Sequence, residues 1–346
     1  MTRAKSDLIF TASPTESSVA SPYISRLDID MISSDATPPD EEGLLEKSVE
    51  LTDSSDPFIG TEEVLKDMIS NLTLNPTRLN TYIDCRRKFL YNDVLKLPGA
   101  KKRSLVFGNC IHKALEETYR HLMEKKKFPA FGFFEGSFKS ELRFQGIDKT
   151  MERELLNKMR SIKPWFDKAS REAVMPISLE RKLMITVGDN IIFTGKYDKV
   201  VWSDEKKKRV RIVDYKTGKP DRHIKDINEE SDIAEAECDG YLRQLVCYRL
   251  LFEKDKKESK GRIADSGELV FIEPVSEDIK RSGYNKGDYA TKIVKISDSM
   301  LETLEKLIIS SWNDIKKLRF EKLPRRDKKK CAMCDFDIMC WGDNDG

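Results

Sequence analysis

Asp214 and Lys216 stand two positions apart in the segment Val210-Arg211-Ile212-Val213-Asp214-Tyr215-Lys216. In an extended strand, Val210, Ile212, Asp214 and Lys216 share one face, so a carboxylate and an ammonium emerge together beside an apolar surface. Just upstream, Gly195-Lys196-Tyr197-Asp198 sets a second carboxylate near the end of a neighbouring strand. Antiparallel pairing across a short turn would bring Asp198 to Asp214. Two carboxylates at a strand edge suit a hard cation. Mg2+ or Mn2+ held by oxygen ligands acidifies bound water and offsets the charge that grows on the phosphorane oxygens in phosphodiester hydrolysis. Lys216 adds a fixed positive charge that could hold the attacking water or stabilise the pentacovalent state. Taken alone, Asp214-Tyr215-Lys216 also describes a surface ion pair at a strand end.

Other side chains could join this chemistry. His112 lies three positions before Leu115 and seven before Tyr119, which points it to the packed side of a helix. A neutral imidazole there could complete a metal's coordination, or be a hydrogen-bonded core histidine. Gln244 and Tyr248 are four apart, on one helical face with Tyr241. Glu180, between Leu179 and Arg181, is a candidate outer carboxylate or a plain surface residue.

A second constellation consists of cysteines. Cys331, Cys334 and Cys340 form a compact knuckle, while Cys85 stands alone before the His112 segment. In a chain of this type, thiols or metal ligands are expected before disulfides. Cys110, Cys238 and Cys247 fall inside predicted helices and read as small packed side chains. The densest positive run, from Lys316 through Arg325, Arg326, Lys328, Lys329 and Lys330, leads into the knuckle. It could neutralise backbone phosphates, or be a solvated face.

The set as a whole resembles a known family. Asp214-Tyr215-Lys216-Thr217-Gly218-Lys219 resembles the D-x-K-T-G motif of RecB- and AddB-type nucleases in the PD-(D/E)XK superfamily, and Gly195-x-x-Asp198 resembles their preceding acidic motif. Gly108-Asn109-Cys110-Ile111-His112 resembles the G-x-x-x-H helix start, and Gln244-Leu245-Val246-Cys247-Tyr248 the Q-L-x-x-Y helix. The resemblance implies a divalent cation on His112, Asp198 and Asp214, with Lys216 as charged catalytic partner and Gln244 and Tyr248 at the scissile phosphate or the water. The cysteine pattern resembles the iron–sulfur staple of AddB-type and CRISPR adaptation nucleases, which implies a 4Fe-4S cluster on Cys85, Cys331, Cys334 and Cys340. Zn2+ is the competing occupant.

These residues must be carried by a packed body. The 346 residues, 39% hydrophobic and 35% charged, suffice for one large domain or two modest ones. Asn75 and Pro76 open a helix that carries Cys85, a second helix opens near Gly108, and further helices extend to about Ala173. Strands are predicted over Ile177 to Val187, Ile191 to Trp202 and Arg209 to Lys216, with Gly188-Asp189-Asn190 as the first turn. A helix about Glu237 to Glu253, a strand near Leu269 to Ile272 and a helix about Ser297 to Leu318 follow. This order predicts an α/β fold of the restriction-endonuclease-like PD-(D/E)XK type, a mixed sheet flanked by helices, with a helical insertion and a C-terminal cysteine knuckle.

Residues 1–70 carry a net charge of −10 and the remainder +12, and a basic body suggests a polyanionic partner, DNA. Residues 1–31 contain Thr2-Arg3-Ala4-Lys5 before a strand and a short helix, which resembles the last motif of UvrD- and Rep-like superfamily 1 helicases. Residues 32–70, rich in Ser, Asp, Glu and Pro, read as an acidic, largely disordered linker, and 71–346 as the nuclease domain. No phosphate loop accompanies the helicase-like motif, so a superfamily 1 helicase subunit or missing upstream domains is the expected partner. Neither a membrane-spanning run nor a signal pattern occurs, so the expected compartment is the cytoplasm. The expected activity is a metal-dependent deoxyribonuclease, in the manner of an exonuclease, acting in double-strand break processing or repair. The alternatives are a catalytically silent DNA-binding module and a CRISPR adaptation nuclease.

Overall fold

A computed structural model describes residues 62–99 and 102–342, all within the compact unit Gly60–Gly346. The helicase-like opening and most of the acidic stretch lie outside the described residues. The linker expected to reach residue 70 ends sooner, because Glu62–Ser70 forms helix α1 and buries Leu65 and Ile69, four apart on one face.

Helix α2 (Pro76–Asp84) starts as its sequence dictates. Asn75 accepts a hydrogen bond from the Arg78 amide at 2.8 Å, and Pro76 occupies a position where no amide is needed. The short α3 (Arg86–Phe89) and one π turn (Leu90–Val94) follow. Cys85 sits at the joint between α2 and α3, in extended conformation, rather than within a helix. The long α4 (Arg103–Lys125) begins five residues before the Gly108 predicted as its start. Three further helices, α5 (Phe131–Phe144), α6 (Lys149–Ser161) and α7 (Lys163–Arg171), complete the helical insertion.

The strands β1 (Ser178–Leu179), β2 (Lys182–Val187), β3 (Ile191–Lys196), β4 (Lys199–Asp204) and β5 (Arg209–Lys216) come next. Helices α8 (Asp221–Asp226), α9 (Gly240–Lys254) and α10 (Lys256–Ser259) precede β6 (Ile263–Pro274) and β7 (Tyr289–Lys295), then α11 (Asp298–Lys316) and α12 (Asp337–Trp341). The main sheet has the order β1-β4-β5-β6-β7, with β5 and β6 parallel and the other neighbours antiparallel. β2 and β3 form a separate hairpin. One face of the sheet, with Val210, Ile212, Leu269 and Phe271, packs on α9 and α11; the other, with Val201, Val213 and Tyr215, packs on α4 to α7. This is the mixed α/β architecture expected from the sequence. No helix among the described residues is long and apolar enough to cross a membrane.

Two predicted strands are each broken in the middle. The stretch from Ile177 to Val187 divides at Glu180-Arg181, and that from Ile191 to Trp202 divides at Tyr197-Asp198. Glu180 adopts φ 48°, a left-handed conformation that unbranched L residues seldom hold, and its amide donates to the Asp198 carbonyl at 2.8 Å. The two breaks are thereby tied together, and both release an acidic side chain from the ladder at one place.

Candidate metal and catalytic site

The register Lys199↔Val213 in the β4–β5 pair sets Asp198 beside the end of β5, as antiparallel pairing predicts. Asp198 Oδ2 accepts the Tyr215 amide at 2.6 Å, which pins this carboxylate to the edge of β5. Its other oxygen, Oδ1, meets His112 Nδ1 at 3.0 Å from α4. Asp214 and Lys216 project from β5 on the α9 side, and the Lys216 ammonium lies against Asp214 Oδ2. Lys216 also donates to Gln244 Oε1 at 2.7 Å, while Gln244 Nε2 donates to the Tyr248 hydroxyl at 2.6 Å. These contacts fix the amide's orientation, with its oxygen towards the lysine. All seven predicted residues, Glu180 among them, line one cleft of about 440 Å3 with Lys196, Asn109, Lys113, Glu116 and Glu141.

Burial is deep for such polar groups: Asp214 is 2% exposed, Asp198 8% and Lys216 9%. Burial pushes the Asp214 carboxyl upward, the neighbouring Asp198 charge adds to this, and Lys216 opposes it. For Asp198 burial acts in the same sense but is outweighed by His112 and the Tyr215 amide, so its carboxyl is held below the usual range. Two interacting carboxylates thus titrate as a pair driven apart by their surroundings. His112, despite desolvation, is raised to about 9 by the Asp198 carboxylate and, behind it, Asp214 and Glu180. Glu180 is raised to about 7 by burial and by Asp198, against Lys196 and His112. The carboxylates therefore gather positive charge around themselves from His112, Lys196 and Lys216.

Two observations fit this arrangement to a divalent cation. Asp214 Oδ2 is buried, and the partner it meets is the Lys216 ammonium, in ion contact. In addition, one ligand atom each from His112, Glu180 and Asp198 lie within 4.8 Å of one another, the one such trio of histidine, cysteine or acidic groups among the described residues. Oxygen ligands around 2.1 Å from Mg2+ lie at most about 4.2 Å from each other, so little contraction is needed. The trio sets Glu180, expected as an outer carboxylate or a plain surface residue, beside His112 and Asp198. Conversely, Gln244 and Tyr248, expected at the scissile phosphate or the water, are engaged with Lys216 and each other.

Sequence reasoning missed two partners. Lys196, quoted only as part of its motif, pairs with Glu180. Tyr241, noticed only as sharing the Gln244 face, lies under Lys216, whose Nζ is 4.1 Å from the ring centroid.

The cysteine constellation also assembles. Cys85, Cys331, Cys334 and Cys340 line one cavity of about 190 Å3 with Phe336 and Trp341. The Cys340 thiol is raised to about 11, first by burial and then by Cys85, Cys334 and Cys331 around it. Cys110 and Cys247 are buried in α4 and α9, whereas Cys238 lies just before α9 and is half-buried. The basic run clusters at the cysteine cavity: Lys329 and Lys330 line it, Lys330 approaches Asp84 at 3.5 Å, and Arg326 pairs with Asp337. Arg325 and Lys328 are outside the lining of the acidic cleft, as are these three.

Comparison with known proteins agrees with this geometry. No curated protein sequence matches the chain. Among solved structures, SSO0001 is 13% identical with a TM-score of 0.32, over 82% of this chain and 96% of that one. A candidate exonuclease from Eubacterium rectale is 12% identical with a TM-score of 0.41, over 83% of this chain and 92% of that one. Likenesses of that size say nothing about activity. The model of the PD-(D/E)XK nuclease superfamily, in contrast, matches residues 73–341, which takes in both constellations. By that match the chain belongs to the PD-(D/E)XK nuclease superfamily.

Proposed function

We propose that the protein is a divalent-metal-dependent deoxyribonuclease of the RecB/AddB type, acting as an exonuclease. The observation that carries this reading is the convergence of His112, Glu180, Asp198, Asp214 and Lys216 in one cleft, with both aspartates deeply buried. His112, Asp198 and Asp214 would hold Mg2+ or Mn2+, with Glu180 in reach of the same ion. When bound, the cation supplies Lewis acidity to water and offsets charge on the phosphate oxygens. Lys216 adds a fixed ammonium at the cleft floor, where low dielectric strengthens its effect on developing negative charge. Gln244 and Tyr248 keep that ammonium aimed, since the tyrosine hydroxyl holds the amide whose oxygen accepts from Lys216. Asp198 in turn orients His112 through Nδ1 and leaves the other ring nitrogen free for the cleft.

We infer that the four cysteines bind a 4Fe-4S cluster. What supports a cluster over a tetrahedral Zn2+ is the resemblance of the pattern, one cysteine before the core and three after it, to the iron–sulfur staple of AddB-type nucleases, together with the cavity the four cysteines share. The cluster would join α2 to the C-terminal segment without any part in the cleavage. The helicase-like Thr2-Arg3-Ala4-Lys5 supports a superfamily 1 helicase as partner in DNA repair.

The test is cleavage of end-labelled linear DNA by anaerobically purified protein with Mn2+ or Mg2+, comparing wild type with Asp214→Asn, alongside iron, sulfide and zinc analysis. Metal-stimulated release of nucleotides from ends, abolished in the variant, is expected. Equal behaviour of both proteins, or salt-dependent binding without cleavage, would leave a DNA-binding module instead.

A further inference from the structure

We propose that Tyr241 is a further positioning residue for the Lys216 ammonium, beside Gln244, and that an Asp239–His223 pair holds the Tyr241 ring for this task. The inference rests on Lys216 being the charged partner in the proposed cleavage and assigns three residues that no motif reading gave a role.

Lys216 is a long, flexible side chain with three donors and little intrinsic reason to keep one position. Asp214 and Gln244 take it from the side of the cleft, and the Tyr241 ring supplies the floor, 4.1 Å from Nζ to centroid. An ammonium over a phenol face is attracted by the ring quadrupole, more strongly when desolvated. Tyr241 precedes Gln244 by three residues on α9, so one helical face presents both groups to Lys216.

The ring itself is unusually well held. Asp239 caps α9, its Oδ1 accepting the Tyr241 amide at 2.8 Å. Its other oxygen, Oδ2, is 2.6 Å from His223 Nδ1 on α8. The His223 ring stacks on Tyr241 with centroids 4.1 Å apart and planes inclined by 28°, and stacks further on Phe271 at 6.0 Å. One carboxylate thus sets both the backbone start of Tyr241 and the ring that backs it. The loop Thr217 to Pro220 leaves β5 directly after Lys216 and enters α8, so the chain that ends in the lysine returns to support its platform.

The experiment compares wild type, Tyr241→Leu, Tyr241→Phe and His223→Ala in single-turnover and steady-state DNA cleavage, with Mn2+ titration and NMR of the Lys216 ε-methylene protons assigned by Lys216→Arg. Tyr241→Leu keeps apolar volume but loses the π face, and is expected to lower kcat about tenfold with KM and Mn2+ affinity unchanged. Tyr241→Phe recovers to within about threefold, and His223→Ala loses about threefold. The ring-current displacement of the lysine protons is present in wild type and Tyr241→Phe and lost in Tyr241→Leu. The proposal is overturned if wild type shows no such displacement, if Tyr241→Leu cleaves like wild type, or if Tyr241→Phe is as impaired as Tyr241→Leu. Should wild type show the displacement yet cleave no DNA, the nuclease reading fails while the positioning of Lys216 stands.

Discussion

Gly267→Ala tests whether the packing of α9 on the sheet sets the chemistry. Gly267 lies in β6 between Ile212 of β5 and Val294 of β7, with no left-handed φ, so its backbone accepts alanine. On conformational grounds alone the substitution would stabilise by about 0.4–1 kcal/mol through the unfolded state. The space decides otherwise. A Cβ there would lie 2.8 Å from Leu245 Cδ1, 2.9 Å from Cδ2 and 3.0 Å from Cβ. Carbon contacts are comfortable at about 3.5–4.0 Å, so the shortfall is roughly 0.5–1 Å. A rotamer change relieves the two terminal atoms but not Leu245 Cβ, which is fixed to α9. Helix and sheet must part, at an overpacking cost of about 1–3 kcal/mol. After the conformational gain, a net loss of about 1–2 kcal/mol should lower Tm by about 2–8 °C. Gln244 adjoins Leu245, and a shift of about half an ångström carries its 2.7 Å bond to Lys216 to the edge of hydrogen-bonding distance, about 3.2 Å. We expect kcat to fall about tenfold, since small misplacements of a charged group are costly. Thermal unfolding by circular dichroism and single-turnover cleavage measure both. Adding Leu245→Ala should recover part of kcat and give a non-additive cycle, because the two changes share one contact. A Gly267→Ala protein as stable as wild type, with normal turnover, would refute the reasoning.

The other predictions concern ligands directly. Asp214→Asn should reduce Mn2+-dependent cleavage at least about a thousandfold with the fold retained, read by end-labelled DNA and circular dichroism; removal of one central group of an acting unit has effects of this order. Because His112 is raised to about 9 without metal, protons compete with Mn2+ at neutral pH. Affinity should rise up to about tenfold per unit between about pH 7 and 9, while metal-free stability from this histidine, full below about 6.5, is lost over the same window. Calorimetric titration finding a flat affinity would exclude His112 as a ligand. Cys331→Ser should lower bound iron and visible absorbance; the loop from Cys85 is worth about 5 kcal/mol in the chain-entropy limit, so Tm should fall by about 10 °C or more. Unchanged iron content and Tm would remove Cys331 from the cage.

Much of the fold was legible because its long elements follow one period. α9 and α11 were placed within about three residues, and β5 was placed to its ends, since their apolar spacing or alternation is uninterrupted. The start of α4 was misjudged because Gly108 looks like a helix opening, whereas it lies within the first turns of a helix that begins at Arg103. β7 and the first half of β6 were missed: Ser266, Gly267 and Glu268 do not read as strand, and β7, an edge strand, has few buried positions to mark it. At the site, Asp198, Asp214, Lys216 and His112 were readable from residue type and motif. His223 and Asp239 were not, for they stand sixteen positions apart, most of that interval loop, and no local spacing links them.

The broken strands show why periodicity alone could not have built the acidic cleft. Alternation runs on through Glu180 and Asp198 as though each stretch were one strand, and would assign these side chains to whichever face parity gives. The structure turns the chain at both residues, and the left-handed Glu180 backbone costs about 1–2 kcal/mol, offset in part by its amide bond to Asp198. β1 and β4 thereby remain in the main sheet while β2 and β3 leave it, and the two carboxylates stay at the junction where α4 delivers His112. A carboxylate at a strained joint, next to another carboxylate, is unfavourable for stability alone. It becomes intelligible when the junction is a place for a cation, which makes the interruption of the pattern, and not the pattern, the part of the sheet that serves the chemistry.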